Sequence, residues 1–201
     1  FKNLGVDGLI SGGQTMNPST QDILEVVNTV PAETVYVLPN NKNIIMAAQQ
    51  VDALTPKHVV VIPSKTVPQG VTAMLNFNPE GTEEENVEAM TESLATVDTM
   101  QITYAARNSD FDGYDIHEGD YLAIYGGSLF GTSRDIKVLL KALAQKVQDE
   151  GKEYITIYYG ADIQEKHAQK AADLFADICP DADVNLLSGG QPVYYYLISA
   201  E

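Results

Sequence analysis

A short apolar run, a polar loop and an amphipathic stretch follow one another repeatedly in the first eighty residues, and this rhythm constrains the fold most. Gly8-Leu9-Ile10, Val35-Tyr36-Val37-Leu38 and Val59-Val60-Val61-Ile62 read as strands. Ser11 to Asn17, Pro39 to Asn43 and Pro63 to Gly70 read as the loops that leave them. Ile23, Leu24, Val27 and Val30 share one helical face, as do Ile44, Ala47, Ala48, Val51 and Leu54. Asn17 and Ser19 are both candidate N-caps for the first helix. Strands alternating with helices predict a parallel sheet covered by helices, and the unbroken apolar run at Val59 predicts burial on both faces. Loops after parallel strands gather on one edge, where α/β folds bind ligands or partners.

The pattern changes after Phe77. Glu83 opens a helix whose apolar face is Val87, Met90, Leu94 and Val97. Beyond it, strands are predicted at Gln101–Ala106, Tyr121–Tyr125, Tyr154–Tyr159, Val184–Leu187 and Val193–Ile198. Gly119 and Gly126-Gly127 serve as turns, and helices are expected over Ser133–Asp149 and around Ala168–Ile178. The expected fold class is therefore α/β in two lobes. The first, residues 1–80, is a parallel sheet with flanking helices; residues 81–98 form a bridging helix; the second, 99–201, is a mixed sheet with a hairpin and helices. Phe1 in place of an initiating Met predicts a piece cut from a longer, multidomain protein.

Charge and residue chemistry narrow the function. Asp and Glu number 28 against 12 Lys and Arg, a net charge of -16, which disfavours nucleic acid and anionic membranes. A single cysteine, Cys179, fits a reducing, cytoplasmic setting and reads as a buried apolar residue. His58, His117 and His167 lack metal-ligand spacing, and the acids Asp110, Asp112, Asp115, Glu118 and Asp120 read as a solvated turn. No catalytic residue and no metal ligand is predicted. Against this acidic background the three strand-end loops hold no acid. Gly12, Gly13, Gln14, Thr15 and Asn17 come from the first, Asn40, Asn41, Lys42 and Asn43 from the second, and Ser64, Lys65, Thr66 and Gln69 from the third. Together they form the candidate ligand- or partner-binding edge. The glycine pair at a helix start could cradle an anion or simply make a turn. The tetrapeptide Ser-Gly-Gly-Gln recurs at Ser188.

Four stretches together carry a resemblance: Ser11 to Thr20, Leu38 to Ile45, Ile62 to Gly70, and Gly189 to Tyr194. The set resembles the C-terminal domain of the catalytic protein of bacterial fatty acid kinase, the FakA type, which is related to dihydroxyacetone kinase. The resemblance implies a DegV- or DhaK-like fold. It also implies a full protein whose N-terminal domain binds ATP and magnesium, neither of them cofactors of this chain. The substrate would be a fatty acid presented by a separate DegV-like binding protein. The partner the resemblance implies is that protein; the chain's own upstream domains are expected partners as well, and a homodimer is open. No histidine here is matched to the one that binds dihydroxyacetone in the kinase family. The expectation is a domain without catalysis of its own that docks or regulates. The rival is a module binding a fatty acid or phosphorylated metabolite.

Overall fold

The computed structural model describes residues 4–11, 17–111 and 113–201. The chain forms two compact units, Phe1–Val97 and Asp98–Glu201.

In the first unit β1 (Thr34–Val37) and β2 (His58–Val61) pair in parallel, Thr34 opposite His58 and Val37 opposite Val61. Alternation along the strands splits the core in two. Val35, Val37, Val59 and Val61 face α1 (Thr20–Thr29) and α2 (Ile45–Gln50), burying Ile23, Val27, Ala48 and Val51. Tyr36, Val60 and Ile62 face α3 (Val67–Leu75) and α4 (Glu83–Ser93), burying Ala73 and Met90. The predicted burial of β2 on both faces follows from this sandwich. Ser19 is the cap of α1: its hydroxyl accepts from Asp22 N–H, and Asp22 accepts from Ser19 N–H in return.

Two expectations change here. Residues 8–10 do not join the sheet, although Ile10 packs against the α1–α2 core. The helix expected as a bridge over 81–98 belongs to the first unit, because Met90 and Leu94 lie in the same core as Ile62 and Ala73. Asn86, on the same helix, is buried and clamps the preceding turn, accepting from Asn78 N–H and donating to its carbonyl.

The second unit is a six-stranded mixed sheet, built from β3 (Asp98–Tyr104), β6 (Tyr121–Tyr125), β7 (Ser128–Ser133), β8 (Tyr154–Tyr159), β9 (Asp183–Ser188) and β10 (Tyr196–Ala200). Their order is β7-β6-β3-β10-β8-β9, antiparallel except for the β8–β9 pair. Between β3 and β6 lies a separate hairpin, β4 (Ser109–Phe111) and β5 (Tyr114–Ile116). Gly126 and Gly127 turn β6 into β7 with φ of 59° and 86°, the left-handed pair that a tight hairpin needs. The helices α5 (Ile136–Asp149) and α6 (Glu165–Ile178) pack on one another and on the sheet, around Leu143, Val147, Phe175, Ile155, Ile157 and Ile198. Cys179 is buried in this core, and its thiol donates to the Ala144 carbonyl. The last strand starts at Tyr196, later than expected, because Val193 turns the backbone with a φ of 71°. No described helix is long and apolar enough to cross a membrane.

Candidate functional site

The loops after β1 and β2 meet at the ends of their strands, and one contact joins them. Ser64 is fully buried; its hydroxyl accepts from Asn40 N–H at 3.0 Å and donates to Asn40 Oδ1 at 2.8 Å. Asn40 adopts a φ of 58°, a left-handed conformation that Asn tolerates better than most residues. Its side chain lies where α3 has no side chain of its own: a Cβ on Gly70 would sit 2.0 Å from Asn40 Oδ1. The neighbouring polar groups are also committed. Asn41 Oδ1 accepts from Asn43 N–H at 2.9 Å, and the Thr66 hydroxyl caps α3 by accepting from Gln69 N–H at 3.2 Å. Gln69 accepts from Lys65 N–H at 2.7 Å and donates to the Leu94 carbonyl at 3.1 Å.

The structure thus brings Asn40 to Asn43 and Ser64 to Gln69 together. Most of their polar side chains hold the loops in shape, and Lys42, Asn43 and Lys65 are exposed. Asn17 is exposed two residues before the Ser19 cap. Gly12, Gly13, Gln14 and Thr15 lie outside the described residues. At the start of α1 the Asp22 carboxylate takes the Ser19 N–H. Its pKa is held below the usual value by the hydrogen bond from Ser19 N–H and by the Ser19 hydroxyl beside it. At the start of α3, Pro68 has no N–H to offer and the Gln69 N–H is taken by Thr66. At both helix starts part of the amide set that would hold an anion is therefore missing or taken, among the described residues.

The second Ser-Gly-Gly-Gln also works as turn chemistry. Gly189 and Gly190 N–H groups donate to the Tyr159 carbonyl, and Gln191 Nε2 donates to the carbonyls of Tyr158 and Tyr194. Tyr195 leaves this turn to meet Tyr104 and Tyr121, with ring centroids 6.1 and 5.5 Å apart. Burial, then the neighbouring Tyr121, Asp162 and Tyr104, raise the Tyr195 pKa. Among the histidines, His58 meets Glu83 and lies 3.7 Å from Asp52, while His117 lies 3.2 Å from Asp115. Among the described residues no His, Cys, Asp or Glu group could hold a metal ion.

Two features escape sequence reading. Asp120, expected in a solvated turn, is buried: it accepts from His117 N–H at 2.9 Å and has Arg134 Nε 3.4 Å away. Asp110, Asp115 and Glu118 are exposed as expected of that turn. The Tyr125 hydroxyl lies between Asp98 and Glu150, with Lys152 2.7 Å from Asp98 and Lys146 3.0 Å from Glu150. Burial alone would raise Asp98, but Lys152 and Tyr125 outweigh it and hold its pKa below the usual value. Tyr125 and Lys146 do the same for Glu150. Burial and the two carboxylates push Tyr125 strongly up. No spacing in the chain announces this network, because the pairing of β3 with β6 assembles it.

Solved structures share this fold at low sequence identity. The Streptococcus pneumoniae fatty acid kinase B3 protein, loaded with linoleic acid, aligns with a TM-score of 0.63 at 16% identity over 92% of this chain and 76% of that one. The dihydroxyacetone kinase of C. freundii, in complex with AMP-PNP and Mg2+, aligns with a TM-score of 0.62 at 10% identity over 91% of this chain and 41% of that one. These likenesses define a DegV- and dihydroxyacetone-kinase-like fold. The chain belongs to the FakA-like C-terminal family of fatty acid kinase, whose model matches residues 1–201. Protein YloV of Bacillus subtilis is 41% identical over the whole chain, which spans 36% of that relative's length.

Proposed function

We propose that this chain is a docking and regulatory domain of a fatty acid kinase, without phosphoryl-transfer chemistry of its own. In this reading ATP and magnesium are bound by another part of the full protein, and the fatty acid arrives on a DegV-like binding protein. The partner meets the loop edge of the first unit. The observation that carries the reading is how that edge uses its polar groups. Asn40, Asn41, Ser64, Thr66 and Gln69 hold a fixed surface, while Lys42 and Lys65 stand exposed on it without a nearby loop acid. A preformed surface with exposed cations suits a protein partner better than a small anion that needs converging donors.

The test is a charge reversal in the full-length kinase protein. Lys42→Glu with Lys65→Glu should weaken binding of the DegV-like protein by about 5- to 30-fold at low salt, with the loss shrinking as salt rises. The control, Lys166→Glu with Lys170→Glu on exposed positions of α6, should leave binding unchanged. Wild-type binding and kinase activity in the loop double variant would refute the assignment. The fold likeness to a protein loaded with linoleic acid favours a second reading, a small-molecule module. Native mass spectrometry separates the two, since a co-purifying lipid supports the second.

A further inference from the structure

The two edges of the six-stranded sheet are finished differently. At β7 the β4–β5 hairpin lies alongside, and the Tyr114 hydroxyl donates to the Phe130 carbonyl at 2.9 Å. An irregularity between Ala123 and Ile124 also breaks the β6–β7 register. Covering elements and bulges are the usual protections of an exposed edge. Among the described residues the β9 edge has neither. Its register with β8 is unbroken from Asp183 to Ser188, and its sequence DVNLLS contains no Pro, Lys or Arg.

The backbone of β9 is open in a regular way. Asp183 N–H donates to the Glu153 carbonyl and Gly189 N–H to the Tyr159 carbonyl, so the odd-numbered residues face β8. The N–H and C=O groups of Val184, Leu186 and Ser188 therefore face outward. Among the described residues they have no hydrogen-bond partner. Side-chain chemistry is graded along this edge. At its start Glu153, Asp181 and Asp183 line a cavity of about 330 Å3, and the one cation there, Lys152, is committed to Asp98. Four residues on, and on the same face of the sheet as Asp183, Leu187 is 50% exposed. Val184 and Leu186 point the other way, into the core under α6.

We propose that β9 is a docking edge for an extended segment of a partner protein, which adds to the sheet as a seventh strand. Backbone pairing is indifferent to sequence, so the side chains along the edge set the choice of partner. The segment carries Lys or Arg beside Glu153, Asp181 and Asp183, and an apolar residue four positions away beside Leu187. A second copy of β9 brings no cation to these acids, so charge complementarity selects a basic partner. This surface is on the second unit and does not depend on the loop edge proposed above.

The test uses the full chain and two labelled probes, Lys-Val-Thr-Val-Leu-Thr and its reverse, Thr-Leu-Val-Thr-Val-Lys, which cover both strand directions. Fluorescence anisotropy should show one of them binding saturably, and amide exchange should slow at Val184, Leu186 and Ser188. N-methylation of alternate peptide amides in one frame should weaken binding by at least about 10-fold, while the other frame, whose amides point away, is tolerated. Asp181→Lys with Asp183→Lys, both exposed, should weaken it by about 10-fold with an unchanged circular dichroism spectrum. Three results overturn the proposal. One is saturable binding by neither probe. Another is equal binding of both N-methylated frames, which would mean charge attraction alone. The third is protection of the same amides by dimerisation of the chain without peptide.

Discussion

Replacing Gly70 with Ala in the middle of α3 should destabilise the protein, although helix propensity predicts the reverse. Ala is favoured over Gly in a helix interior by about 1 kcal/mol. The three atoms nearest the new Cβ, however, all belong to Asn40, at 2.0, 2.7 and 2.9 Å. The Asn40 side chain must leave, and its hydrogen bond from the buried Ser64 hydroxyl goes with it. A lost hydrogen bond and a buried hydroxyl left without its acceptor together cost about 2 to 3 kcal/mol. The net expectation for Gly70→Ala is therefore a loss of about 1 to 2 kcal/mol. Asn40→Gly costs less, about 1 kcal/mol. It removes the same acceptor but suits the φ of 58° and keeps the backbone N–H on Ser64 Oγ. In that background nothing of Asn40 remains to collide with, so adding Gly70→Ala should become stabilising by about 0.5 to 1 kcal/mol. Urea denaturation of the four proteins, with amide exchange to localise the change to the first unit, measures the cycle. If Gly70→Ala destabilises equally in both backgrounds, the clash is not with Asn40 and the account of this latch is wrong.

Two further outcomes follow from the second unit. A Cβ on Gly160 would stand 2.3 Å from the Tyr194 carbonyl oxygen and 2.9 Å from that of Gln191, both backbone atoms that cannot rotate away. Gly160→Ala should therefore cost about 2 to 4 kcal/mol, read as a lower urea midpoint with faster exchange in β8 and β10. The depressed carboxylates Asp98 and Glu150 add stability that is present above their unfolded values of 3.8 and 4.5 and is lost as pH falls through their lower folded values. Acidification from about pH 5 downward should weaken the second unit, and Lys152→Met should flatten that dependence by removing the cation on Asp98.

Periodicity made much of the fold legible. The β8 strand, the Gly126-Gly127 hairpin and the α5 and α6 helices lie where apolar spacing and turn residues place them. The choice between Asn17 and Ser19 was also readable, since Asp22 stands three residues after Ser19 and completes a reciprocal cap. Tertiary information was harder to extract. The apolar face of α4 shows that it packs, but not that Met90 and Leu94 join Ile62 in the first unit. Gly8-Leu9-Ile10 has strand composition, yet its one half-buried side chain, Ile10, packs on helices, and no ladder forms. For the candidate edge, strand-end position was readable from the parallel pattern. The commitment of each side chain was not, because Ser64 and Asn40 stand 24 positions apart in the chain.

That last difference bears on how polar loops are read. Asn, Ser, Thr and Gln in a strand-end loop are the residues that bind ligands, and they are also the residues that close turns and cap helices. The two roles compete for the same oxygen and nitrogen atoms. Here the competition is largely decided for the fold. Ser64 and Asn40 lock to one another, Thr66 caps α3, Gln69 spends both ends of its amide on backbone, and Gln191 spends its nitrogen. Groups spent in this way give the surface its shape and rigidity, and leave recognition to whatever remains. On the described part of the loop edge the exposed charges are Lys42 and Lys65; on the second unit the outward backbone of β9, unpaired among the described residues, lies beside its flanking acids. Both are features that a folded protein surface or an extended segment can match over many contacts, whereas a small ligand needs several donors converging on one point.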